Sequence, residues 1–464
     1  MAVRTITAEE TEVAQELLET ARAAMAQAAH YDQRTVDRLC QSVAWAGANL
    51  EAATRLANMS VDESGLGKRD PARRAKVLGI LRDVLRQKSM GIIEEIPEKG
   101  IVKYAKPAGV ICALIPVTSP YITPISIAIY ALKCKDAVIF SPHPSSKNTT
   151  NEVVRLMREG LAKVGAPVDL LQCVERPSIP LANALMSSCD LTIATGGPAM
   201  VKAAYSSGKP AYGVGAGNAT MVIDETANIE EAARNTRISK TNDHGSGCSA
   251  DGNLLVDASI YDAFLGQLQQ EGGYLVNERE KGLLQRAYWD EQGRRTPDTI
   301  ARPPEAIAAK AGIDLPAGKT FFIVPETNIG KQYPFSTEKL GVVLSIFKCR
   351  DFDDTLEKVR QIFDTAGKGH SCGIYSFDDD HIHRLALMAP VSRMMVRQVQ
   401  SSSNAGTFTN GMPMTSSMGC GIWGGNITNE NISLKHYMNV TWVSRPIPED
   451  RPSEAELFGE FYNS

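Results

Sequence analysis

The N-terminal part of the chain has the apolar spacing of amphipathic helices. After a capping signal at Thr7, apolar residues recur every three or four positions from Val13 to Met25, and the same spacing continues over 32–56. Asp70 and Pro71 then indicate the start of another helix, because proline is tolerated in a first turn. We therefore expect helices over 8–58 and again over 70–85.

From residue 91 the pattern becomes that of strands. The stretch 91–107 alternates around Gly100, which predicts a β-hairpin, and 109–115 predicts a buried strand. Apolar runs at 137–141, 170–174 and 191–195 are each followed by a helical pattern, and such pairs recur at 252–270 and 342–365. Strands that alternate with helices favour parallel sheets with crossover helices. The sequence predicts an α/β fold of two lobes, with a protruding β-arm that a late strand at 436–445 would join.

Composition and charge narrow the class of protein. The chain has 464 residues, with 49 Lys and Arg against 53 Asp and Glu, a net charge of −4. That balance argues against a nucleic-acid-binding protein and against a partner of anionic membranes. No apolar run reaches the roughly 18 residues of a membrane span, and the N-terminal sequence lacks a secretory signal. We expect a cytoplasmic protein with reduced thiols.

One of the nine cysteines stands in a different setting from the rest. No pair has the CxxC spacing, and His381 and His383 lack a visible third ligand, so no metal site is predicted. Most cysteines lie in apolar stretches, where buried packing is the usual role. Cys248 instead lies in TNDHGSGCSADGN, among small and polar residues that allow a substrate to come close. The sequence therefore predicts that Cys248 is the reactive thiol.

Six stretches resemble one known family in the same order along the chain. They are YAKPAGVICALIPVTSP, VIFSPHPSSK, TIATGGPAMVKAAYSSGKPAYGVGAGN, SKTNDHGSGC, KGHSCGIYS and GCGIWGGN. Together they resemble the aldehyde dehydrogenase superfamily, and within it the acylating, coenzyme-A-dependent branch. The resemblance implies a Rossmann-type coenzyme-binding lobe (1–97 and 108–242), a catalytic lobe (243–435) and an oligomerisation arm (98–107 and 436–464) that builds a homodimer or homotetramer.

The resemblance also implies a mechanism. Cys248 matches the nucleophile, which forms a thiohemiacetal and then a thioester, and His370 matches a histidine that assists deprotonation. The oxyanion would be held by the Cys248 amide and by a second donor, where Ser119 stands in place of the family's asparagine. Hydrolytic members carry a glutamate that activates water, but 213–217 is GVGAG and has no carboxylate. Acyl transfer to coenzyme A is thus favoured, with Asp243 as an alternative source of a base.

The resemblance also implies which residues bind the coenzyme. We expect the nucleotide beside the ends of two predicted strands, with its phosphates at the start of a helix and its ribose near the second strand. NAD and NADP both remain open, because no carboxylate is apparent near that ribose. The assigned residues are Ser141, His143, Pro144, Ser146, Lys147, Thr195, Gly196, Gly197, Gly215 and, at the nicotinamide ribose, Glu338.

The substrate pocket is predicted to be polar. The expected substrate contacts are His244, Ser246, Ser402, Ser403 and Arg393. Buried polar groups are favourable only with a ligand that offers acceptors, which suits a short anionic aldehyde. Within the branch the chain looks most similar to enzymes of sulfoacetaldehyde, with succinate semialdehyde as the alternative substrate. A hydrolytic dehydrogenase releasing free acid and a non-catalytic descendant of the fold are the other hypotheses.

Overall fold

The computed structural model describes residues 4–462 of the chain. Its helices are α1 (Ala8–Ala28), α2 (Gln33–Ala48), α3 (Leu50–Ser64), α4 (Ala75–Leu85), α5 (Ile122–Lys133), α6 (Lys147–Lys163), α7 (Ile179–Ser188), α8 (Pro198–Tyr205), α9 (Ile229–Thr241), α10 (Tyr261–Gln270), α11 (Glu278–Tyr288), α12 (Pro304–Ala311), α13 (Phe352–Thr365), α14 (Asp379–Met388), α15 (Gln400–Ser403) and α16 (Glu454–Phe458). Its strands are β1 (Gly91–Ile96), β2 (Ile101–Pro107), β3 (Val110–Ile115), β4 (Ala137–Pro142), β5 (Leu171–Cys173), β6 (Leu191–Thr195), β7 (Ala211–Val214), β8 (Thr220–Ile223), β9 (Asn253–Asp257), β10 (Gly273–Leu275), β11 (Phe321–Glu326), β12 (Val343–Cys349), β13 (Cys372–Tyr375), β14 (Met394–Val396) and β15 (Met438–Ser444).

The N-terminal helices form as their sequence predicts, with one difference. Thr7 and Glu10 make a reciprocal capping box at the start of α1. The periodic stretch 32–56 is divided into two helices at Asn49, whose extended backbone ends α2 and whose side chain accepts from the amide of Ala52 in α3. Asparagine favours such caps because its side chain replaces a missing backbone partner.

The first parallel sheet has five strands in the order β5-β4-β3-β6-β7. All six residues of β3 are buried, as expected for a central strand covered on both faces. The chain runs outward from β3 through β4 to β5 and then returns to the other side of β3 with β6. The crevice at the carboxyl ends of β3 and β6 is where a ligand binds in sheets of this kind.

The second parallel sheet has seven strands in the order β10-β11-β12-β9-β8-β13-β14. β8 belongs to this sheet because it pairs with β9 and β13, although 220–223 falls inside the stretch predicted for the coenzyme-binding lobe. The antiparallel sheet β1-β2-β15 likewise includes 91–96, which the resemblance assigns to the same lobe. Apolar runs predict strands but not the sheet that each strand joins, so the boundaries of the lobes stay a prediction.

No helix within residues 4–462 is both long enough and apolar enough to cross a membrane.

Candidate active site

The loop that carries Cys248 is tightly wound between α9 and β9. Three consecutive residues, Asp243, His244 and Gly245, have φ values of 47°, 52° and 70°, a region that residues other than glycine rarely adopt. Gly245 leaves no room for a side chain, because a Cβ there would lie 2.5 Å from the carbonyl oxygen of Gly341. Such a backbone persists only where its surroundings hold it in place.

The Asp243 carboxylate holds this loop. One oxygen accepts a hydrogen bond from the backbone N–H of Lys68 at 2.7 Å, and the other accepts from the Ser246 hydroxyl at 2.7 Å. The guanidinium of Arg73 lies 2.9 Å from the second oxygen. Both oxygens are therefore engaged beside a cation, which argues against Asp243 as the base that the sequence left open. Ser246, predicted to bind substrate, uses its hydroxyl within the loop.

Cys248 and His370 lie close together, each just before a strand of the second sheet. Cys248 precedes β9 and His370 precedes β13, and their Sγ and Nε2 atoms are 2.9 Å apart. The other ring nitrogen of His370 lies 2.8 Å from the hydroxyl oxygen of Ser371. The imidazole is fully buried, whereas Cys248 is partly exposed. The structure thus brings together the two residues that the sequence predicted as nucleophile and base.

Both members of this pair are neutral near pH 7. Burial, together with the negative charge of Glu338, raises the pKa of Cys248 to about 12. Burial, together with the positive charge of Arg393, lowers the pKa of His370 to about 3. The geometry therefore describes a thiol that donates to Nε2, with the Nδ1 proton directed to Ser371. Nucleophilic attack requires this resting state to lose the thiol proton.

The glycine-rich segment after β7 supports the thiol residue directly. A Cβ on Gly217 would lie 2.0 Å from the carbonyl oxygen of Cys248, so only glycine fits. The amide of Gly217 donates to Glu338 at 3.1 Å, and Arg295 lies 3.6 Å from the other carboxylate oxygen. Gly217 was not among the predicted site residues. The alternation of glycines in GVGAG was the available signal, but it could not show which glycine touches the thiol residue.

Gly215, which the resemblance assigned to coenzyme binding, lies near Cys420, and its coenzyme role stays a prediction. A Cβ there would lie 3.7 Å from the Sγ atom of Cys420. Cys420 is buried in the GCGIWGGN stretch and adds negative potential near Cys248 when it ionises. The segment 215–217 therefore lies between the two sulfur-bearing loops.

Ser119 lies in the turn that follows β3. Its amide donates to the carbonyl of Pro116 at 3.3 Å, and its hydroxyl has no hydrogen-bond partner among residues 4–462. Arg73 links this turn to the thiol loop, because it donates to the carbonyl of Thr118 at 3.2 Å as well as contacting Asp243. The predicted second oxyanion donor is therefore on a turn that is tied to the nucleophile's loop, and its role stays a prediction.

The residues predicted for the nucleotide line the carboxyl ends of β4 and β6. Gly197 is the N-terminal cap of α8, makes no side-chain cap, and would leave an added Cβ in open space. Thr195, before it, shares a 2.7 Å hydrogen bond with Ser417. The Ser146 hydroxyl is fully buried without a partner in the described part of the chain. An open helix start and an orphaned hydroxyl are features that fit a dinucleotide.

A carboxylate occupies the start of α6, next to Ser146 and Lys147. The Glu63 side chain of α3 accepts from the amides of Asn148 and Thr149 at 2.8 and 2.7 Å. The sequence predicted no acidic group near the expected ribose, because Glu63 is far away along the chain. The ring of His143, which precedes them, accepts from the amide of Ser145 at 3.1 Å.

The serine loop predicted to face substrate lies next to the thiol. The hydroxyl of Ser249 donates to the carbonyl of Ser401 at 3.1 Å, which brings α15 against the residue after Cys248. Ser402 and Ser403 point their own amides back to Val399, and Ser403 is buried.

His244 and Arg393 line two different cavities. His244 lines a cavity of about 380 Å³ with Lys68 and Arg237, and burial lowers its pKa. Arg393 is buried, and its guanidinium donates to the carbonyls of His370, Gly419 and Asn429. This arrangement favours a structural role for Arg393 over the predicted contact with substrate.

His381, one of the two histidines for which the sequence predicted no metal site, is half-buried against its neighbours. Its ring stacks on Phe352 with centroids 3.7 Å apart, and its Nδ1 atom lies 2.9 Å from the buried carboxylate of Asp224. Glu225 lies within reach of both, but Asp224 already accepts from Thr226. Helix α14 therefore docks through this histidine.

Comparisons with known proteins agree with this architecture. Residues 2–276 match the aldehyde dehydrogenase family. The chain is 44% identical to a sulfoacetaldehyde dehydrogenase from an Acholeplasma species, over 96% of this chain and 93% of the relative. It is 38% identical to a sulfoacetaldehyde dehydrogenase (acylating) from Bilophila wadsworthia, over 96% and 98%.

Two solved structures show the same fold. An acetylating aldehyde dehydrogenase from Geobacillus thermoglucosidasius superposes with a TM-score of 0.92 at 34% identity, covering 96% of this chain and 99% of that one. A Rhodopseudomonas palustris propionaldehyde dehydrogenase with bound propionyl-CoA gives 0.82 at 25% identity, covering 93% and 94%. The predicted two-lobed α/β fold is confirmed. This chain belongs to the aldehyde dehydrogenase family and, within it, to the acylating branch.

Proposed function

We propose that this acylating aldehyde dehydrogenase converts a short anionic aldehyde, with sulfoacetaldehyde as the lead substrate, into its acyl-coenzyme A thioester. The observation that carries the proposal is the 2.9 Å contact between Cys248 and His370 in a loop whose nearby carboxylates are engaged. Asp243 is held by Lys68, Ser246 and Arg73, and Glu338 is held by Gly217 and faces Arg295. Within residues 4–462, the Asp243 and Glu338 carboxylates near a thioester there are thus both engaged and are not free to activate water.

The chain's own groups account for each bond change. The Sγ proton of Cys248 moves to Nε2 of His370 as sulfur bonds to the carbonyl carbon. The resulting alkoxide is stabilised by the Cys248 amide, which has no carbonyl acceptor within residues 4–462, and by the Ser119 hydroxyl. Loss of hydride from that carbon leaves a thioester. The thiol of coenzyme A then gives its proton to solvent water and bonds to the acyl carbon, the bond to Sγ breaks, and Sγ takes back the proton held by Nε2 of His370.

The proposed hydride acceptor is NAD or NADP, bound at the carboxyl ends of β4 and β6. The orphaned Ser146 hydroxyl and the open start of α8 at Gly197 would hold the adenosine and phosphate parts. Glu338, which accepts a hydrogen bond from the Gly217 amide beside Cys248, would hold the ribose next to the nicotinamide. A bound nicotinamide supplies the two-electron oxidation; the chain supplies position and the thiol.

A lysine near the thiol loop is the group that we propose for binding an anionic substrate. Lys68 is tied to Asp243 through its backbone, and its side chain lines the 380 Å³ cavity together with His244 and Glu305. Arg237 in this cavity is paired with Glu271 at 2.6 Å, whereas neither Lys68 nor Glu305 has an ion pair in the described part of the chain. The unpaired ammonium is the group that a sulfonate or a carboxylate would contact. Two relatives that carry sulfoacetaldehyde in their names support the sulfonate.

A substrate screen tests this proposal. Initial rates with sulfoacetaldehyde, succinate semialdehyde and propionaldehyde, each with coenzyme A and either NAD or NADP, give kcat/KM for every pair. We expect sulfoacetaldehyde to exceed propionaldehyde by about tenfold or more, the effect of one favourable charged contact. An equal or higher kcat/KM for propionaldehyde would contradict the proposal of an anionic substrate. A clear preference for succinate semialdehyde would show that the substrate is a carboxylate rather than a sulfonate.

A further inference from the structure

Arg393 is a buried cation without an acidic partner in the described part of the chain. It is only 5% exposed. Its Nη1 donates to the His370 carbonyl at 2.9 Å, its Nη2 donates to the carbonyls of Gly419 and Asn429, and its Nε has no acceptor among residues 4–462. A buried guanidinium is costly when no negative charge compensates it. The structure therefore holds a fixed positive charge that its resting contacts do not neutralise.

That charge lies beside the reactive pair and affects its two members in opposite ways. Arg393 favours the ionised form of Cys248, so it lowers the thiol pKa against the effect of burial. It disfavours protonated His370, so it lowers the imidazole pKa. A standing thiolate–imidazolium pair, as an activated cysteine often has, would place the new imidazolium against this guanidinium.

Other charged and titratable groups face the thiol from the neighbouring elements. Glu338, before β12, and Cys420, after β14, both oppose thiolate formation. Lys240, at the end of α9, acts on Glu338 rather than directly on the thiol. Arg393 is the cation that acts on Cys248 itself, and its hydrogen bonds fix it in place.

We propose that Arg393 is the positioning residue of this thiol–imidazole pair, holding the His370 main chain and serving as counter-ion to the Cys248 thiolate while His370 remains neutral. In the free enzyme at high pH, the partly exposed thiol loses its proton to solvent water and the imidazole stays neutral; Nε2 of His370 takes the proton only when sulfur bonds to an aldehyde carbon. The proposal rests on the proposed function in taking Cys248 as the nucleophile. It replaces the sequence-based expectation that Arg393 binds substrate.

The test is the pH dependence of Cys248 alkylation by iodoacetamide in the full-length protein without coenzymes, with the labelled residue identified by mass spectrometry. We expect the wild-type rate to rise with a single ionisation above neutrality. Arg393→Gln removes the charge but keeps amide donors, and we expect the midpoint to move upward by about one pH unit. Arg393→Lys keeps the charge with fewer donors, so the midpoint should stay near wild type while kcat falls.

Arg158 provides the matched control. It also donates to two backbone carbonyls, of Val168 and Leu171, but lies on α6. We expect Arg158→Met to leave the alkylation midpoint unchanged. The proposal is overturned if Arg393→Gln does the same, or if wild type shows an alkylation plateau at acid pH that His370→Ala abolishes, because the latter is the signature of an ion pair.

If Arg393→Gln does not fold, Arg393→Lys tests the proposal by itself. An alkylation midpoint that moves upward in Arg393→Lys, although the positive charge is retained, also contradicts the proposal. Failure of the proposed function would look different. In that case Cys248 would resist labelling at every pH, while other cysteines react.

Discussion

Cys248 differs from the other eight cysteines in what surrounds it. Cys112 and Cys134 are wholly buried among apolar residues, whereas Cys248 is partly exposed and has an imidazole at 2.9 Å. The small residues around the thiol were visible in the sequence and predicted its role. The role of His370 was implied only by the family resemblance, because 122 residues separate it from Cys248 and only the pairing of β8 with β9 and β13 brings the two together.

Glu338 is a carboxylate near the thiol, and its role can be tested by removing its charge. Burial raises its pKa, which would suit a base, but its oxygens face Gly217 and Arg295. We expect Glu338→Gln to raise KM for the coenzyme by about tenfold, as loss of one charged hydrogen bond would. The rate at which the acylated enzyme releases free acid should not change.

That release rate is measured by quenching samples of the acylated protein at intervals and following the loss of the acyl adduct by mass spectrometry. A tenfold or greater fall in hydrolysis in the Gln variant would identify Glu338 as a base for water and contradict the assignment.

Lys68 should select for charge in the aldehyde. We expect Lys68→Met to raise KM for sulfoacetaldehyde about fivefold, the size of one partly exposed ion pair, and to leave KM for propionaldehyde unchanged. Lys163→Met, on the exposed end of α6, is the matched control. If Lys68→Met raises KM equally for both aldehydes, the role of Lys68 is to hold the loop in shape rather than to contact the anion.

At the scale of elements, the glycine segment after β7 fixes the position of the thiol loop. A Cβ on Gly217 would lie 2.0 Å from the backbone oxygen of Cys248. A side chain at residue 217 would therefore displace the thiol loop and move the nucleophile. We expect Gly217→Ala to lower kcat on the order of 100-fold, because misplacement of about 1 Å has that effect.

Gly266 in α10 is the control for that change, since a Cβ there meets nothing within 4 Å. Gly266→Ala should keep full activity in the same assay. Near-normal turnover of Gly217→Ala would show that the thiol loop is not held by this contact.

The start of α6 bears on coenzyme choice. The Glu63 carboxylate occupies the first-turn amides of Asn148 and Thr149 beside Ser146 and Lys147, where a 2′-phosphate would otherwise find donors. We expect wild type to favour NAD and Glu63→Gln to lower KM for NADP about fivefold. Glu152→Gln, which removes a carboxylate farther along α6, should change neither KM. Unchanged NADP kinetics in the Glu63 variant would place the ribose elsewhere.

At the scale of the whole molecule, the order and type of most elements could be predicted from the sequence. The capped start of α1, the hairpin β1–β2 and the strands β3 to β6 lie where the pattern placed them. β7, β10 and β14 were missed, because runs of three or four residues give too little periodicity to recognise. The break at Asn49 was missed because both helices share one apolar spacing.

The candidate site was predictable only in part, for a related reason. Residues that carry chemistry, such as Cys248 and His370, stand out by type and by neighbours. Residues that position them, such as Arg73, Gly217 and Arg295, act through contacts between distant segments, and their local sequence has no distinguishing pattern. Arg393 stood out by charge, but only its burial and its three carbonyl partners indicate what that charge does.

The predicted oligomerisation arm remains a prediction with a clear physical basis. β15 joins β2 in the antiparallel sheet and leaves Trp442 60% exposed, and Leu457 and Phe458 of α16 are exposed as well. Large apolar side chains in the same part of a chain mark a contact surface. We therefore expect a homodimer or homotetramer built through this sheet and the segment after it.

The central claim is that the acyl group on Cys248 is released to a thiol rather than to water. The most direct measurement is the NADH or NADPH formed from the lead aldehyde with and without coenzyme A, together with the mass of the protein. The account predicts one equivalent per active site and an acyl adduct on Cys248 without coenzyme A, and many turnovers with it. Sustained turnover to free acid without coenzyme A, with no adduct accumulating, would contradict it.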